Sequence, residues 1–150
     1  MGWHGNLSGA PVQSILTIQT TGPGLTEFTR DAAEFVRNNA TGPALLTVFV
    51  RHTSCSLLIQ ENADPDVLRD LQTFFRRLVP EGDDPAMSWL THTAEGPDDM
   101  PAHIKAALTQ TSRGIPVNDG KMLLGTWQGL YLFEHRTRPR TRDVVLHLSG

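Results

Sequence analysis

Two apolar runs, Ala44-Leu45-Leu46-Thr47-Val48-Phe49-Val50 and Leu57-Leu58-Ile59-Gln60, flank the polar segment Arg51–Ser56. The first run is almost continuously apolar, which is typical of a central strand covered on both faces. The second resumes strand character directly after the polar segment. Polar residues at the end of a buried strand are a frequent location for chemistry, so this segment is a candidate part of a functional site.

The surrounding elements extend this pair of strands into a fold. Val12–Thr20 alternates as a strand does, Thr26–Asn39 has helical spacing, and Asp64 before Pro65 is expected to cap a second helix. A third helix should begin at Asp98 or Asp99. Further strands are expected at Ile115–Val117, Lys121–Leu124, Leu130–His135 and Val144–Leu148. Because hairpins outnumber crossovers, we predict a single-domain α+β fold with a mainly antiparallel sheet and about three helices packed on one side.

Composition excludes several classes of protein. The chain has 150 residues, 39% of them hydrophobic and 19% charged, as in one globular domain. Its net charge of -3 gives no support for nucleic-acid binding, and no apolar segment is long enough to cross a membrane. A single cysteine, Cys55, rules out an internal disulfide and favours a cytoplasmic location. Met1–Pro11 lacks the pattern of a signal peptide and is expected to be a flexible lead-in.

Three histidines lie where predicted elements begin or end. His52 follows the apolar strand, and the loop His92–His103 carries a histidine at each end. His103 is placed in the first turn of the third helix, with Pro101 just before it. Three imidazoles with an open fourth position form a catalytic zinc-type site. However, the spacing is no metal signature by itself, and three separate structural histidines would produce the same pattern.

Other polar residues could surround such a cluster. Glu134 ends an apolar strand, where it could orient a histidine or act as a base, or simply face solvent. Glu61 and Asn62 follow the second strand of the opening pair and are further catalytic candidates. Arginines alternate through Arg136–Arg142, and guanidinium groups suit phosphate binding, although a flexible basic turn is the alternative.

Five separated motifs resemble one known family. They are His52-Thr53-Ser54, Glu61-Asn62-Ala63-Asp64, Ala102-His103-Ile104-Lys105-Ala106, Leu124-Gly125-Thr126-Trp127-Gln128-Gly129-Leu130-Tyr131 and Pro139-Arg140-Thr141-Arg142. In this order they resemble the YjbQ-like family, also called secondary thiamine-phosphate synthases, from about Val12 to the end of the chain. One departure is Gly96-Pro97-Asp98, since family members often carry an asparagine after that glycine.

The resemblance implies an α+β fold, a homotrimer and the joining of pyrimidine and thiazole phosphates into thiamine phosphate. It also favours a divalent metal, zinc or magnesium, held by His52, His92 and His103. Arg140 and Arg142 lie in a family motif and become the phosphate candidates.

Thr53 and Ser54 would add hydroxyl or backbone donors to the same phosphate. The expected function is therefore a metal-assisted transferase acting on a phosphorylated small molecule. The alternatives are a trimeric metal- or phosphometabolite-binding protein without turnover, and a metal-dependent phosphate-ester hydrolase.

Overall fold

The structure is a computed structural model that describes residues 11–150. Residues 1–10 of the expected lead-in lie outside this range. The strands are β1 (Val12–Gln19), β2 (Gly24–Glu27), β3 (Ala44–Val50), β4 (Cys55–Glu61), β5 (Ser112–Asn118), β6 (Lys121–Met122), β7 (Gln128–Glu134) and β8 (Thr141–Ser149). The helices are α1 (Thr29–Asn39), α2 (Pro65–Leu78) and α3 (Asp99–Leu108), with a short 3-10 helix at Pro85–Met87.

The strands form two antiparallel sheets. A five-stranded sheet has the order β1-β8-β3-β5-β6, and a three-stranded sheet has the order β2-β7-β4. The predicted α+β fold with a mainly antiparallel arrangement is therefore confirmed. The sequence did not predict β2, which pairs with β7 where a helix had been expected to begin at Thr26.

Local sequence signals explain several element boundaries. Asp64 caps α2 as predicted, because its Oδ1 accepts a hydrogen bond of 2.9 Å from the backbone N–H of Asp66. The β5–β6 turn contains Asp119 and Gly120, both at positive φ (52° and 72°), as a tight hairpin requires. Pro101 lies in the first turn of α3, where its missing N–H leaves no partner unsatisfied.

One apolar core joins the two sheets. It includes alternate side chains of β3 and β8 from the large sheet, side chains of β4 and β7 from the small sheet, and Ala32 and Val36 from α1. α3 packs on β4, and Phe75 of α2 lies 5.3 Å from the Phe133 ring of β7. These helices cover the outer face of the small sheet.

The strand that is buried on both faces is β7, not β3. From Gly129 to Glu134 every residue of β7 is buried, because the core lies on one face and helices lie on the other. In β3 only alternate residues are buried, while Leu45 and Phe49 are 45% and 42% exposed. The prediction that β3 is covered on both faces is therefore not met within this chain.

Candidate functional site

His92 and His103 meet around the carboxylate of Asp99. Asp99 Oδ2 lies 2.7 Å from His92 Nε2 and 3.3 Å from His103 Nε2, and the two imidazole rings are 5.9 Å apart between centroids. Asp99 and His103 are four residues apart on α3, so they share one face of the helix. His92 reaches the same point from the loop that precedes α3. The predicted approach of these two histidines is present in the structure.

Hydrogen bonds hold this cluster in one orientation. His103 Nδ1 lies 2.9 Å from the backbone oxygen of Thr53, which directs Nε2 toward Asp99. Arg136 Nη1 donates to Asp99 Oδ1 at 2.7 Å, leaving Oδ2 for the histidines. Burial opposes ionisation of Asp99, but the hydrogen bond from His92 and the nearby charges of His103 and Arg136 hold its pKa below the usual value. The carboxylate is therefore ionised and oriented.

These side chains form a donor set that fits a transition metal. One ligand atom from each of His92, Asp99 and His103 lies within 4.8 Å of the others. Two imidazoles and one carboxylate suit zinc, whereas magnesium prefers oxygen ligands and water. Glu95 Oε2 lies 3.1 Å from His92 Nε2 and provides a further carboxylate beside the group. Of the two metals expected from the sequence, the donor set fits zinc.

His52 does not belong to this group. Its Nε2 accepts a hydrogen bond of 2.9 Å from the backbone N–H of Asp143, and its Nδ1 faces Arg142 Nη1 at 3.4 Å. Burial, followed by the charge of Arg142, lowers the pKa of His52. In the structure the side chain that lies beside His92 and His103 is not His52 but Asp99, which had been treated only as a helix cap. The four-residue spacing from Asp99 to His103 was the signal that could have identified it.

Glu134 and Arg142 are partners of each other and not parts of an open site. Both are buried, at 1% and 5% exposure. Arg142 Nε donates to Glu134 Oε1 at 2.7 Å, and its Nη2 donates to Oε2 at 2.5 Å and to Ser54 Oγ at 2.9 Å. Thr20 also donates to Glu134 Oε1 at 2.8 Å. The predicted roles of Glu134 as a base and of Arg142 and Ser54 as phosphate ligands are not supported by this geometry.

Backbone groups complete the coordination of the Glu134 carboxylate. Its Oε2 accepts from the N–H groups of His135 and Arg136, at 3.0 and 3.1 Å. Burial opposes ionisation, yet these bonds and the pairing with Arg142 lower the pKa of Glu134. A fully bonded carboxylate has no lone pair free for proton abstraction.

Glu61 and Asn62 lie at the far end of the small sheet. In the β4–β7 register, Cys55 pairs with Glu134 and Glu61 pairs with Gln128. A separation of six residues (61 − 55) along a strand corresponds to about 20 Å. Within this chain the structure therefore does not bring these two catalytic candidates to the histidine cluster. Glu61 Oε2 instead accepts a hydrogen bond from the backbone N–H of Asp64 at 2.9 Å.

Two cavities adjoin the histidine cluster. One of about 290 Å³ is lined partly by His92, Thr93, Gly96 and Pro97. A larger one of about 440 Å³ shares Gly96 and Pro97 and is otherwise polar, with Glu81, Glu95, Asp98, Arg136, Thr137, Arg138 and Arg140 in its walls. Because its carboxylate contacts His92, Glu95 connects this larger cavity, here called the arginine cavity, to the histidine cluster.

Arg140 lines the arginine cavity with a guanidinium that has no partner among the described residues. Its Nε is buried without a hydrogen-bond partner in the described part of the chain. Arg136 lines the same cavity but is occupied, donating from Nε to Asp98 Oδ2 at 2.8 Å and from Nη1 to Asp99. Burial opposes ionisation of Asp98, but bonds from Arg136 and Thr137 hold its pKa at about 2. Arg140 therefore lines the arginine cavity without a protein partner, and its role as a phosphate ligand stays a prediction, whereas Arg136 is a positioning residue that the sequence did not reveal.

Comparison with known proteins identifies the family. Residues 14–150 match the family described as UPF0047 protein YjbQ-like. The UPF0047 protein sll1880 of Synechocystis is 53% identical over 92% of this chain and 91% of its own, and YjbQ of Escherichia coli O157:H7 is 42% identical over 71% and 73%.

Solved structures agree with the sequence comparison. A YjbQ/UPF0047 family protein from Clostridium acetobutylicum is similar with a TM-score of 0.77 at 33% identity, over 88% of this chain and 97% of that one. The hypothetical protein APE1520 of Aeropyrum pernix has a TM-score of 0.78 at 26% identity, over 90% and 96%. The resemblance inferred from five motifs is thereby confirmed, and the chain belongs to the YjbQ-like UPF0047 family.

Proposed function

We propose that the protein is a zinc-dependent enzyme that acts on a phosphorylated small molecule. His92, Asp99 and His103 would hold the metal, and Arg140 would bind the phosphate. One observation carries this proposal: three convergent ligand atoms lie beside a cavity that contains an unpaired, partly buried guanidinium. Clefts with convergent polar groups are the usual location of small-molecule sites.

Each protein group would have a defined task. Arg140, with the exposed Arg138 beside it, would neutralise and orient the phosphate. Arg136 would keep the Asp99 carboxylate in position, and Thr53 would do the same for His103 through its backbone oxygen. Bound zinc would supply Lewis-acid polarisation of a phosphoryl oxygen.

The specific reaction that the family resemblance suggests is thiamine-phosphate formation. A pyrimidine carrying a diphosphate would be joined to a thiazole phosphate, with pyrophosphate as the leaving product. The same residues would serve a phosphate-ester hydrolase, in which water is the nucleophile, or a metal- and phosphometabolite-binding protein without turnover. Turnover and the product released distinguish these three functions.

Metal analysis tests the foundation of the proposal. After incubation with zinc and dialysis, the wild-type protein should retain about one zinc per chain, while Asp99→Asn and His103→Ala should lose at least tenfold in zinc affinity. His147→Ala is the matched control, because this histidine bonds its cross-strand partner Gln13 within the five-stranded sheet and should leave zinc content unchanged. Wild-type protein that retains no zinc would contradict the metal assignment.

Product analysis then tests the reaction. Zinc-loaded protein is incubated with the two thiamine precursors and, separately, with simple phosphate esters. Release of pyrophosphate together with thiamine phosphate supports the transferase, and release of inorganic phosphate from esters supports the hydrolase. Tight zinc and phosphate binding without either product would support the binding protein.

We also propose a homotrimer, as the family resemblance implies, in the cytoplasm, as the single cysteine favours. Ile15, Val145 and Phe49 form a cross-strand row on the outer face of the large sheet, and Ile15 is 52% exposed. Exposed apolar patches of this kind mark interaction surfaces. Light scattering should give three times the chain mass, and Phe49→Asp should give the monomer. A wild-type monomer would exclude the trimer.

No helix of the described residues is long and apolar enough to span a membrane.

A further inference from the structure

The smaller of the two cavities beside the histidine cluster is lined mainly by apolar groups. Its volume is about 290 Å³, and its walls include the side chains of Leu90, Pro97, Met100 and Pro101. Leu90 and Met100 are half-buried, and Pro101 is buried. This space, here called the apolar cavity, has no lysine or arginine among its described lining residues. Its walls therefore match an uncharged apolar group.

The polar side chains of the apolar cavity are His92, Thr93 and Asp83. His92 also belongs to the histidine cluster, since its Nε2 lies 2.7 Å from Asp99 Oδ2. Asp83 brings a negative charge to the wall, which disfavours binding of a phosphate in this cavity. An apolar group bound here would therefore lie beside the proposed zinc ligands, with its phosphate elsewhere.

The apolar cavity and the arginine cavity share the wall formed by Gly96 and Pro97. Gly96 has a φ of 101°, a backbone conformation that favours glycine, so no side chain projects from this position. A hydrogen bond of 2.7 Å from the backbone N–H of Gly82 to the backbone oxygen of Pro97 holds the wall in place. A Cβ at Gly82 would lie only 3.1 Å from that oxygen. The two cavities are therefore adjacent, and their common wall is fixed before a ligand binds.

The two cavities differ in chemistry. Pro97 is the one apolar side chain among the described residues of the arginine cavity, where Arg138 and Arg140 contribute positive charge. We propose that the substrate is a phosphate monoester of an apolar group about the size of one ring, with the phosphate in the arginine cavity and the ring in the apolar cavity. This inference rests on the proposed function, because it uses the phosphate site at Arg140.

The volume of the apolar cavity sets the size of the group. A cavity of about 150 Å³ accommodates benzene, so about 290 Å³ holds one ring with small substituents. A sugar phosphate would bury hydroxyl groups against Leu90, Pro97 and Met100, whose side chains donate no hydrogen bond. The site should therefore prefer ring-bearing phosphates to sugar phosphates.

Calorimetric titration of the zinc-loaded full chain tests this preference by comparing benzylphosphonate with ethylphosphonate. Both carry the same phosphonate head, and neither contains an ester bond that could be cleaved. Burial of the ring should make benzylphosphonate bind about 10- to 100-fold more tightly. Equal affinities would overturn this inference and leave the proposed phosphate site intact. Failure of both phosphonates to bind would contradict the proposed function as well.

A variant of the apolar wall locates the effect. Leu90→Asn should reduce the preference for the benzyl group about tenfold and leave the ethylphosphonate affinity unchanged. Leu108→Asn is the matched control, because Leu108 is 57% exposed at the end of α3 and lines neither cavity. Full retention of the preference in Leu90→Asn would overturn the proposal.

Methyl NMR of the wild-type protein decides the matter if Leu90→Asn does not fold. With isotope-labelled methionine methyl groups, the Met100 signal should shift when benzylphosphonate binds and not when ethylphosphonate binds, because only the ring produces a ring-current shift. Met122 of β6 lines a different cavity and should not shift. An unmoved Met100 signal at saturating benzylphosphonate would overturn the proposal.

Discussion

The guanidinium of Arg142 donates two hydrogen bonds to the carboxylate of Glu134, from Nε to Oε1 at 2.7 Å and from Nη2 to Oε2 at 2.5 Å. The same guanidinium also binds the backbone oxygen and hydroxyl of Ser54, at 3.2 and 2.9 Å. This buried pair connects the end of β7 to β8 and to the segment that follows β3. It consolidates the domain beside the site and does not contribute to the site's chemistry.

Replacing Arg142 should therefore affect stability more than binding. Arg142→Met leaves the Glu134 carboxylate buried and unpaired, which should lower the free energy of unfolding by about 3–5 kcal/mol. Urea denaturation measures this loss. Arg138→Met, an exposed arginine of the same segment, should change it by about 0.5 kcal/mol or less. A stable Arg142→Met protein that fails to bind phosphate would restore the original phosphate assignment.

Replacing Arg140 should, in contrast to Arg142, affect phosphate binding more than stability. Because its guanidinium is unpaired, Arg140→Met should leave the unfolding free energy nearly unchanged. Loss of a charge-assisted hydrogen bond should weaken phosphate or pyrophosphate binding about 10- to 100-fold. Calorimetric titration measures the affinity, and Arg30→Met, which replaces an exposed arginine of α1, is the control. Unchanged affinity would remove Arg140 from the proposed site.

His52 should be dispensable for metal retention. Its ring accepts a hydrogen bond from the Asp143 backbone and lies outside the cluster of Asp99 with the other two histidines. His52→Ala should therefore keep the wild-type zinc content, measured per chain after dialysis, while lowering stability by about 1 kcal/mol through the lost hydrogen bond. A zinc-free His52→Ala protein that remains folded would return this histidine to the metal site.

His135 should make the fold sensitive to mild acid. Burial, reinforced by the charge of Lys105, lowers the pKa of His135 from 6.5 to about 3. Between these values the unfolded chain binds a proton that the folded chain does not, so stability rises with pH and falls as pH drops below about 6.5. This single group contributes up to about 1.4 kcal/mol per pH unit.

Urea midpoints measured from pH 7 to pH 4.5 check this contribution. His135→Gln, which retains a polar side chain toward Ser56, should flatten the slope across that window. Asp98 has a folded pKa of about 2, so its stabilising contribution is lost only as pH falls below about 4 and does not interfere. An unchanged slope in His135→Gln would show that other groups cause the acid sensitivity.

The Cys55 thiol should be inert in the folded protein. It has no exposed surface, and burial raises its pKa to about 11, so very little thiolate is present at neutral pH. A disulfide reagent such as DTNB should react slowly with native protein and release one equivalent in denaturant. Rapid native labelling would indicate that β4 opens locally.

Local patterns accounted for much of the fold. The Asp64-Pro65 cap and the Asp119-Gly120 turn are short-range devices, and the structure has both where they were predicted. The prediction that β3 is covered on both faces was wrong for the single chain. An apolar run shows that both faces of the strand are hydrophobic, but not which part of the protein covers each face. Leu45 and Phe49 are exposed in the single chain although their sequence context resembles a fully buried strand.

The sequence by itself determined the family, most of the elements other than β2, and the position of His103 on the first turn of α3, because motif spacing, capping and periodicity act over a few residues. Only the tertiary structure decided which polar groups meet. Asp99, and not His52, lies beside His92 and His103, and Glu134 forms its ion pair with Arg142. The alternation of side chains along a strand indicates on which face a residue lies, but not which distant side chain it contacts. Pairing across sheets depends on register and packing between segments far apart in the chain, and no local pattern encodes those distances.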